Sequence, residues 1–574
     1  MPHLPVKFHP IKYISLVPLL FIATTLPAQD FTSLSKYIAK QVKKKDIAGL
    51  SIAIVSKDSL LWEKGFGMAD KTNQIKASAN TVYPIGSVSK IITASVVMRL
   101  VQEGKVDLDA PYTQYVPDFD MQKHFDDQIS FTPRDLLTHF AGIPRVRALK
   151  NHTDHPEPFC GLIEEGKEEY LIAPPKTLYQ YSDWGMALLG CLIENVSGIS
   201  YEEFVAKEVF LPIGMETATA YPYSQIPNLT KGYDKKGKET KIFTTRTLPA
   251  DGIKASVHDL SKLLQVYLNK GQASPNRFLS EQLVKEMLTD QTKNFPLGLD
   301  HQHGLGWFLG KYYDYTTTYH FGDQLPCIAG IIFFPEQDFG VAILSNTYKP
   351  DTGMKILYKA VDHMLELKSL EKKAAPKPDR KKISTNAAIG KQFQGRFATP
   401  IGVIEIKQKN HSKMKAHLWA EQKTLSGTLY NDSTIVLRKM GAKILELKIK
   451  PYHGEDYLIY HDFGKWKLAG KRIKEVDIPK EWKATVGTYK VRDFEGAYEF
   501  LTSYKMYLKD GLLIGEGTTI YPTIPTFQIV LRPINNQQAI VEGAGGDLLG
   551  ETVPLESYQN KPMIRLAGFD LIKQ

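Results

Sequence analysis

Between Val88 and Val101 the apolar positions Val88, Ile91, Ile92, Val96, Val97, Leu100 and Val101 run around most of a helical circumference, the pattern of a helix buried on nearly every side. Its end is predicted at Glu103-Gly104, because glycine readily takes the left-handed conformation that closes a helix C-terminus. A second apolar helix is predicted to begin with Trp184-Gly185-Met186-Ala187-Leu188-Leu189-Gly190, behind a loop that leaves Pro174-Pro175 and carries Tyr181-Ser182-Asp183. Further on the period changes. Ile328 to Phe334 and Phe339 to Asn346 are apolar runs flanking a Pro335 to Asp338 turn, and they predict two paired, buried strands.

Past Leu365 the pattern changes again. Lys368 to Ser384, with Glu371-Lys372-Lys373, Pro376, Pro378 and Arg380-Lys381-Lys382, reads as a charged linker. Short alternating strands follow: Val403 to Ile406, Lys443 to Leu447, Tyr457 to Tyr460, Tyr504 to Leu508 and Phe527 to Leu531. Gly395-Arg396-Phe397, followed by Gly402 and Glu405, has a counterpart in Gly487-Thr488-Tyr489, followed by Gly496 and Glu499, which reads as a diverged duplication. Two small antiparallel barrels are predicted, since closing a sheet removes its exposed edges.

The amino terminus carries Lys7 and Lys12, then an apolar run from Tyr13 to Leu26 broken by Pro18, then Pro27-Ala28-Gln29. The run is too short to span a bilayer and predicts a secretory leader. Cleavage after Ala28 is expected, although Leu26 is not the small residue preferred two positions earlier, and no cysteine stands near the site to accept lipid. The expectation is therefore an exported protein, periplasmic or secreted, with no stable membrane span. These readings divide the chain into a leader at 1–28, a main domain at 30–365, a charged linker at 366–388 and two barrels at 389–478 and 479–574.

The 574 residues, 43% of them hydrophobic, supply ample core for several domains. The formal charge of +10 includes Lys7 and Lys12 of the leader. The remaining lysines are scattered rather than interleaved with aromatics, so no nucleic-acid partner is expected. Three cysteines, Cys160, Cys191 and Cys327, are too few and too odd in number for a disulfide framework. His301-Gln302-His303 has strand-ligand spacing but no carboxylate or cysteine cluster to complete a metal site, so neither metal nor other cofactor is expected.

The chemistry-bearing stretch is Ser87-Val88-Ser89-Lys90, directly after Tyr83-Pro84-Ile85-Gly86 and at the head of the first apolar helix. Residues three apart share a helix face, so Lys90 can bring its ammonium against the Ser87 hydroxyl, while the free N–H groups of the first turn attract developing negative charge. The spacing alone is common: it recurs at Ser33/Lys36, Ser369/Lys372 and Ser412/Lys415. The apolar helix sets Ser87 apart. A lysine on it must find partners or lose its charge.

With Tyr181-Ser182-Asp183 and His320-Phe321-Gly322-Asp323 in this order, the chain resembles the serine β-lactamase and penicillin-binding-protein superfamily, on the branch of class C β-lactamases, D-Ala-D-Ala carboxypeptidases, D-aminopeptidases and esterases. Asp135-Leu136-Leu137-Thr138-His139, Ala141-Gly142-Ile143-Pro144, Phe210 to Met215, Gly304-Leu305-Gly306-Trp307 and Leu344-Ser345-Asn346 are also similar to that family. The resemblance implies an α/β (α+β) domain with an antiparallel sheet flanked by helices, and it makes the two barrels similar to the lipocalin-like domains of some D-aminopeptidase relatives. It further implies that Ser87 attacks a carbonyl carbon and that Lys90 and Tyr181 share the proton transfers, with the identity of the base left open. Backbone N–H groups of Ser87 and Asp323 would form the oxyanion hole, and Asp183, His320 and Gly322 would bind substrate.

Two departures bear on the substrate. Where many relatives have a Lys-Thr-Gly that holds a substrate carboxylate, this chain has His320 and Phe321, offering a pH-dependent charge near 6.5 and no hydroxyl. Where the family has an asparagine, Asp183 offers an acceptor-only carboxylate, which either pairs with Lys90 or receives a substrate ammonium. The expected function is an exported serine hydrolase acting through an acyl-enzyme on amide bonds of small peptides, D-amino-acid and cell-wall peptides among them. An esterase or weak β-lactamase is the alternative within the class. A non-catalytic envelope-binding protein is the alternative outside it, and a buried lysine beside a serine argues against it.

Overall fold

The computed structural model describes residues 30–125, 130–145, 152–153, 156–221, 226–273, 275–299, 302–372, 380–385, 388–411, 413–462, 465–492, 501–519, 526–544 and 546–574. The predicted leader and its lysines, His301, the centre of the linker, and Gly496 and Glu499 of the duplicated pattern lie outside these residues.

The main domain is built on a seven-stranded antiparallel sheet. Its strands in chain order are β1 (Gly49–Val55), β2 (Leu60–Asp70), β3 (Ile75–Lys76), β4 (Phe308–Tyr312), β5 (Tyr315–Gln324), β6 (Cys327–Phe334) and β7 (Phe339–Ser345), and they lie in the order β4-β5-β6-β7-β1-β2-β3. The sheet thus joins the two ends of the domain, with β1 paired to β7 from Leu50↔Ser345 to Val55↔Gly340. The strands predicted around the Pro335 to Asp338 turn are β6 and β7, in register from Ile328↔Ser345 to Phe334↔Phe339.

Both faces of the sheet are covered, which is why β1, β6 and β7 read as unbroken apolar runs rather than alternating ones. On one face Ile52, Ile54, Ile332, Phe334, Val341 and Ile343 pack against the helices α1 (Thr32–Lys44) and α6 (Pro350–Leu367). On the other, Ala53, Val55, Ile331, Phe333, Ala342 and Leu344 join the larger core that holds α2 (Ser89–Gln102), α3 (Asp183–Ser197), α4 (Leu248–Asp251) and α5 (Val257–Leu268). Within α2 every residue from Ser89 to Met98 is buried, and Gly104 follows with φ +69°, as the apolar pattern predicted. Cys160 and Cys191 form a disulfide, with Cα atoms 5.5 Å apart, that ties the segment before residue 162 to α3; Cys327 is free and buried. Sequence separation gave no sign of this single cross-link.

Two closed eight-stranded antiparallel barrels follow. In each, the strand that opens on the duplicated glycine pairs with the eighth: Phe397↔Arg472 closes the first and Tyr489↔Lys573 the second. Their interiors are packed with side chains, among them Phe397, Ile406, Met414 and Leu437 in the first and Tyr504, Leu513, Val541 and Leu571 in the second. Val403 and Trp419 of the first pack on Ile514 and Val530 of the second. Leu297 of the main domain joins Tyr457, Ile459 and Leu468 of the first barrel and Ala544 of the second in one apolar cluster. Among the described residues no helix is long and apolar enough to cross a membrane.

Candidate active site

Ser87 lies in a single 3-10 turn, Gly86–Val88, that runs directly into α2. The turn is pressed against β5 so closely that side chains are excluded at two positions. Gly86 has φ +50°, and a Cβ there would stand 2.5 Å from the Asp323 carbonyl oxygen; a Cβ on Gly322 would stand 2.3 Å from Ile85 O and 2.7 Å from Ser87 N. Glycine is the residue that permits both the positive φ and the approach. The result is that the backbones of Ser87 and Asp323, the expected oxyanion hole, lie side by side.

One turn along the helix, Lys90 is fully buried. The Lys90 ammonium donates to Ser87 Oγ and to the Ala250 carbonyl, each at 3.0 Å, and forms an ion pair with Asp183 Oδ1 at 2.6 Å. Burial opposes the charge, but Asp183, Tyr181 and Asp251 outweigh it and raise the ammonium above its ordinary range. Lys90 has therefore found partners and keeps its charge. Lys36, Lys372 and Lys415 of the other Ser-x-x-Lys copies are exposed.

Tyr181 and Asp183 arrive together at the start of α3, where Ser182 caps the helix by accepting the Gly185 N–H at 2.8 Å. Asp183 is the first helical residue, a position that favours a carboxylate. Burial works against its ionised form, yet Lys90 and then Arg145 hold the carboxyl below its usual value. Both oxygens are engaged, Oδ1 by Lys90 and Oδ2 by Arg145 Nε at 3.9 Å. This is the pairing alternative of the two that the sequence left open. Burial raises the Tyr181 phenol so that it stays protonated, while Lys90 and Ser87 beside it pull the other way. Its ring is held 4.5 Å from that of His139 and lies 4.7 Å from Lys90 Nζ.

His320 stands on β5 beside these groups, but not with the charge expected of it. It is buried, its Nδ1–H donates to the Phe321 carbonyl at 2.9 Å, and burial, reinforced by Lys90, brings it down to about 3. The imidazole is neutral at neutral pH, so the charge titrating near 6.5 that the sequence led us to expect is absent. The reason is that a second positive charge cannot be desolvated next to Lys90.

Three residues of the site escaped sequence reading. His139, at φ +63°, accepts the Ser182 N–H on Nδ1 at 3.2 Å and is held neutral by burial and then by Lys90; it packs Tyr181 in place. Arg145 gives its carbonyl to the N–H groups of Asp183 and Trp184 and lays its guanidinium 5.5 Å from the Tyr181 ring centre. Asp251 ends α4, next to the carbonyl that holds Lys90, and its Oδ1 accepts from the Thr245 and Thr247 hydroxyls at 3.0 Å each. Burial, then Asp183, pushes this carboxyl up to about 7, against Lys90. Burial brings the Lys254 ammonium down to about 8, Asp251 opposing.

Asp251 carries a pH prediction. The unfolded chain loses this proton near 3.8 and the folded one near 7, so between those values the folded state holds the extra proton and stability falls as pH rises. Asp251→Asn removes that slope. Its melting temperature is expected to exceed the wild type's by more at pH 8 than at pH 4, and parallel melting curves across this range would contradict the assignment.

Comparison with known proteins agrees with the fold. The beta-lactamase family profile matches residues 34–364. Protein flp of Staphylococcus aureus (strain N315) is 24% identical over 383 residues, which covers 65% of this chain and 72% of that one. Among solved structures, the octameric penicillin-binding protein homologue from Pyrococcus abyssi superposes with a TM-score of 0.51 at 23% identity, covering 76% of this chain and 100% of its own. SurE superposes with a TM-score of 0.59 at 19% identity, covering 77% of this chain and 98% of its own. With the profile spanning more than half of its length, the chain belongs to the beta-lactamase family, the serine hydrolases built on the beta-lactamase and penicillin-binding-protein fold.

Proposed function

We propose that this protein is an exported serine hydrolase that forms an acyl-enzyme at Ser87 and acts on amide bonds of small peptides, those with D-amino acids included. The observation that carries the reading is Lys90 Nζ at 3.0 Å from Ser87 Oγ, with the Tyr181 ring centre 4.7 Å from the same ammonium. Ser87 Oγ attacks the carbonyl carbon, and the oxyanion that forms is met by the Ser87 and Asp323 N–H groups. The Ser87 proton passes to Tyr181 as the Tyr181 proton passes to the leaving amine, and the fixed charge of Lys90 stabilises the oxygens while the protons are in transit. Water then repeats the sequence on the acyl-enzyme. Asp183 serves this path by anchoring Lys90. Export rests on the leader read in the sequence. A weak β-lactamase or esterase activity uses the same steps with a different leaving group.

The test is a panel of matched dipeptide amides with D- or L-residues, together with esters carrying the same acyl groups, followed by intact-mass detection of the acyl-enzyme. Amide turnover with an acyl mass increment is expected. Turnover of esters alone would move the assignment to an esterase, and no increment with any substrate would contradict the acyl-enzyme. Tyr181→Phe is expected to lower kcat by about 10²–10⁴, the usual size of a lost proton-transfer group. Near-normal kcat in that variant would remove Tyr181 from the proton path.

A further inference from the structure

The loop that carries Tyr181 is fastened on both sides by one residue. His139 follows the short helix Pro133–Leu137, whose first turn is closed by a capping box between Thr132 and Asp135. The His139 carbonyl accepts the Gln180 N–H at 2.9 Å, and its Nδ1 accepts the Ser182 N–H at 3.2 Å. The N–H groups before and after Tyr181 are thus pinned to the same residue, and the imidazole itself lies 4.5 Å from the Tyr181 ring, tilted 42° to it. His139 makes both bonds with its backbone at φ +63°, in the left-handed region that few side chains enter. Such an outlier, buried beside a reacting group, points to a function.

A neutral imidazole has one nitrogen that accepts and one that donates. With Nδ1 accepting from Ser182, the proton stands on Nε2. A second proton, on Nδ1, would set N–H against N–H and break the pin. Burial and then Lys90 keep the ring neutral, so the ammonium beside Ser87 also preserves the bond that holds the loop. The same bond removes His139 as a base for Ser87, because the lone pair that would take a proton is engaged. Its influence passes through Tyr181, whose hydroxyl lies at the far end of a long ring and moves when the backbone at its root turns. A misplacement of about 1 Å can cost about 10² in rate.

We infer that His139 is a positioning residue of the acylation step, which grips the N–H groups on either side of Tyr181 and so sets where the phenol hydroxyl meets the Ser87 proton. The inference rests on the acyl-enzyme reading above. It assigns a part in kcat to a residue whose side-chain hydrogen bond goes to the loop.

The test uses the full-length protein with His139→Gly, His139→Asn, Tyr181→Phe and the His139→Gly/Tyr181→Phe double variant. Labelling of Ser87 by a fluorophosphonate, followed by intact mass, reports attack by the serine, and steady-state turnover of the best substrate from the panel above separates kcat from KM. Glycine keeps the left-handed backbone but removes the acceptor and the ring. His139→Gly is therefore expected to lower kcat and the labelling rate about 10- to 100-fold, with KM within about threefold. Asparagine enters the same backbone region and carries an oxygen where histidine has Nδ1, so His139→Asn should return to within about fivefold of wild type. In Tyr181→Phe no hydroxyl is left to place, so adding His139→Gly should slow labelling by no more than about twofold further. Melting temperatures identify any variant that folds poorly, and rates are compared at a temperature where all are folded. Losses that multiply in the double variant, or a His139→Asn protein no faster than His139→Gly, would overturn the role of His139 in placing Tyr181. No label on Ser87 of the unmutated protein would instead remove the acyl-enzyme reading, and this inference with it.

Discussion

Replacing Ser87 with alanine is expected to lower turnover by about 10⁴–10⁶, the range seen when the nucleophile of an acyl-enzyme set is removed. The fold should survive, because Ser87 sits at a partly exposed turn and alanine removes only one partner of Lys90; the Ala250 carbonyl and the Asp183 ion pair remain. The expected loss of stability is about 1 kcal/mol, the net worth of one hydrogen bond. Steady-state hydrolysis and a thermal melt on the same preparation check both halves. Turnover within tenfold of wild type in a folded Ser87→Ala protein would place the nucleophile elsewhere.

Lys90→Ala should lose both activity and stability. Its ammonium is fully buried, and Asp183, with only 13% of its side chain exposed, would be left with Arg145 at 3.9 Å as its charged neighbour. Removing one partner of a buried ion pair typically costs about 3–5 kcal/mol, and losing the charge beside Ser87 and Tyr181 should slow acylation by about 10²–10⁴. Adding Asp183→Asn separates the two effects. The double variant no longer strands a carboxylate, so denaturant unfolding should recover most of the stability while acylation stays slow. Equal stability in the single and double variants would show that the pair does not hold the site together, and recovered acylation would show that Lys90 only offsets Asp183.

The parts of this protein legible in its sequence are those fixed by local pattern. The α2 helix could be read because burial on all sides leaves an apolar surface all round, and β6 and β7 because two covered faces erase alternation. Ser87, Lys90, Tyr181 and Asp183 could be read because each lies at the start of such an element. The barrels were only half legible. In the strand Lys413–Leu418, Met414, Ala416 and Leu418 point inward and Lys413, Lys415 and His417 outward, but a small alanine among basic residues hardly registers as a hydrophobic face. What stayed hidden depends on tertiary approach. Asp251 becomes a member of the site only because α4 delivers the Ala250 carbonyl to Lys90. Asp547 of the second barrel meets Arg145 at 2.6 Å across 402 residues of sequence, a contact that no local pattern announces. The charge of His320 was misjudged for the same reason, since nothing local in the sequence shows that its ring is buried next to an ammonium.

The central claim is that Ser87 is the group acylated. It is tested most directly by incubating the full-length protein with a fluorophosphonate, digesting it and locating the adduct by mass spectrometry. The account predicts one modified peptide, with the phosphonyl group on Ser87, absent from Ser87→Ala and formed much more slowly by Lys90→Ala. An adduct on another residue, or an equal adduct on the Ser87→Ala protein, would contradict it.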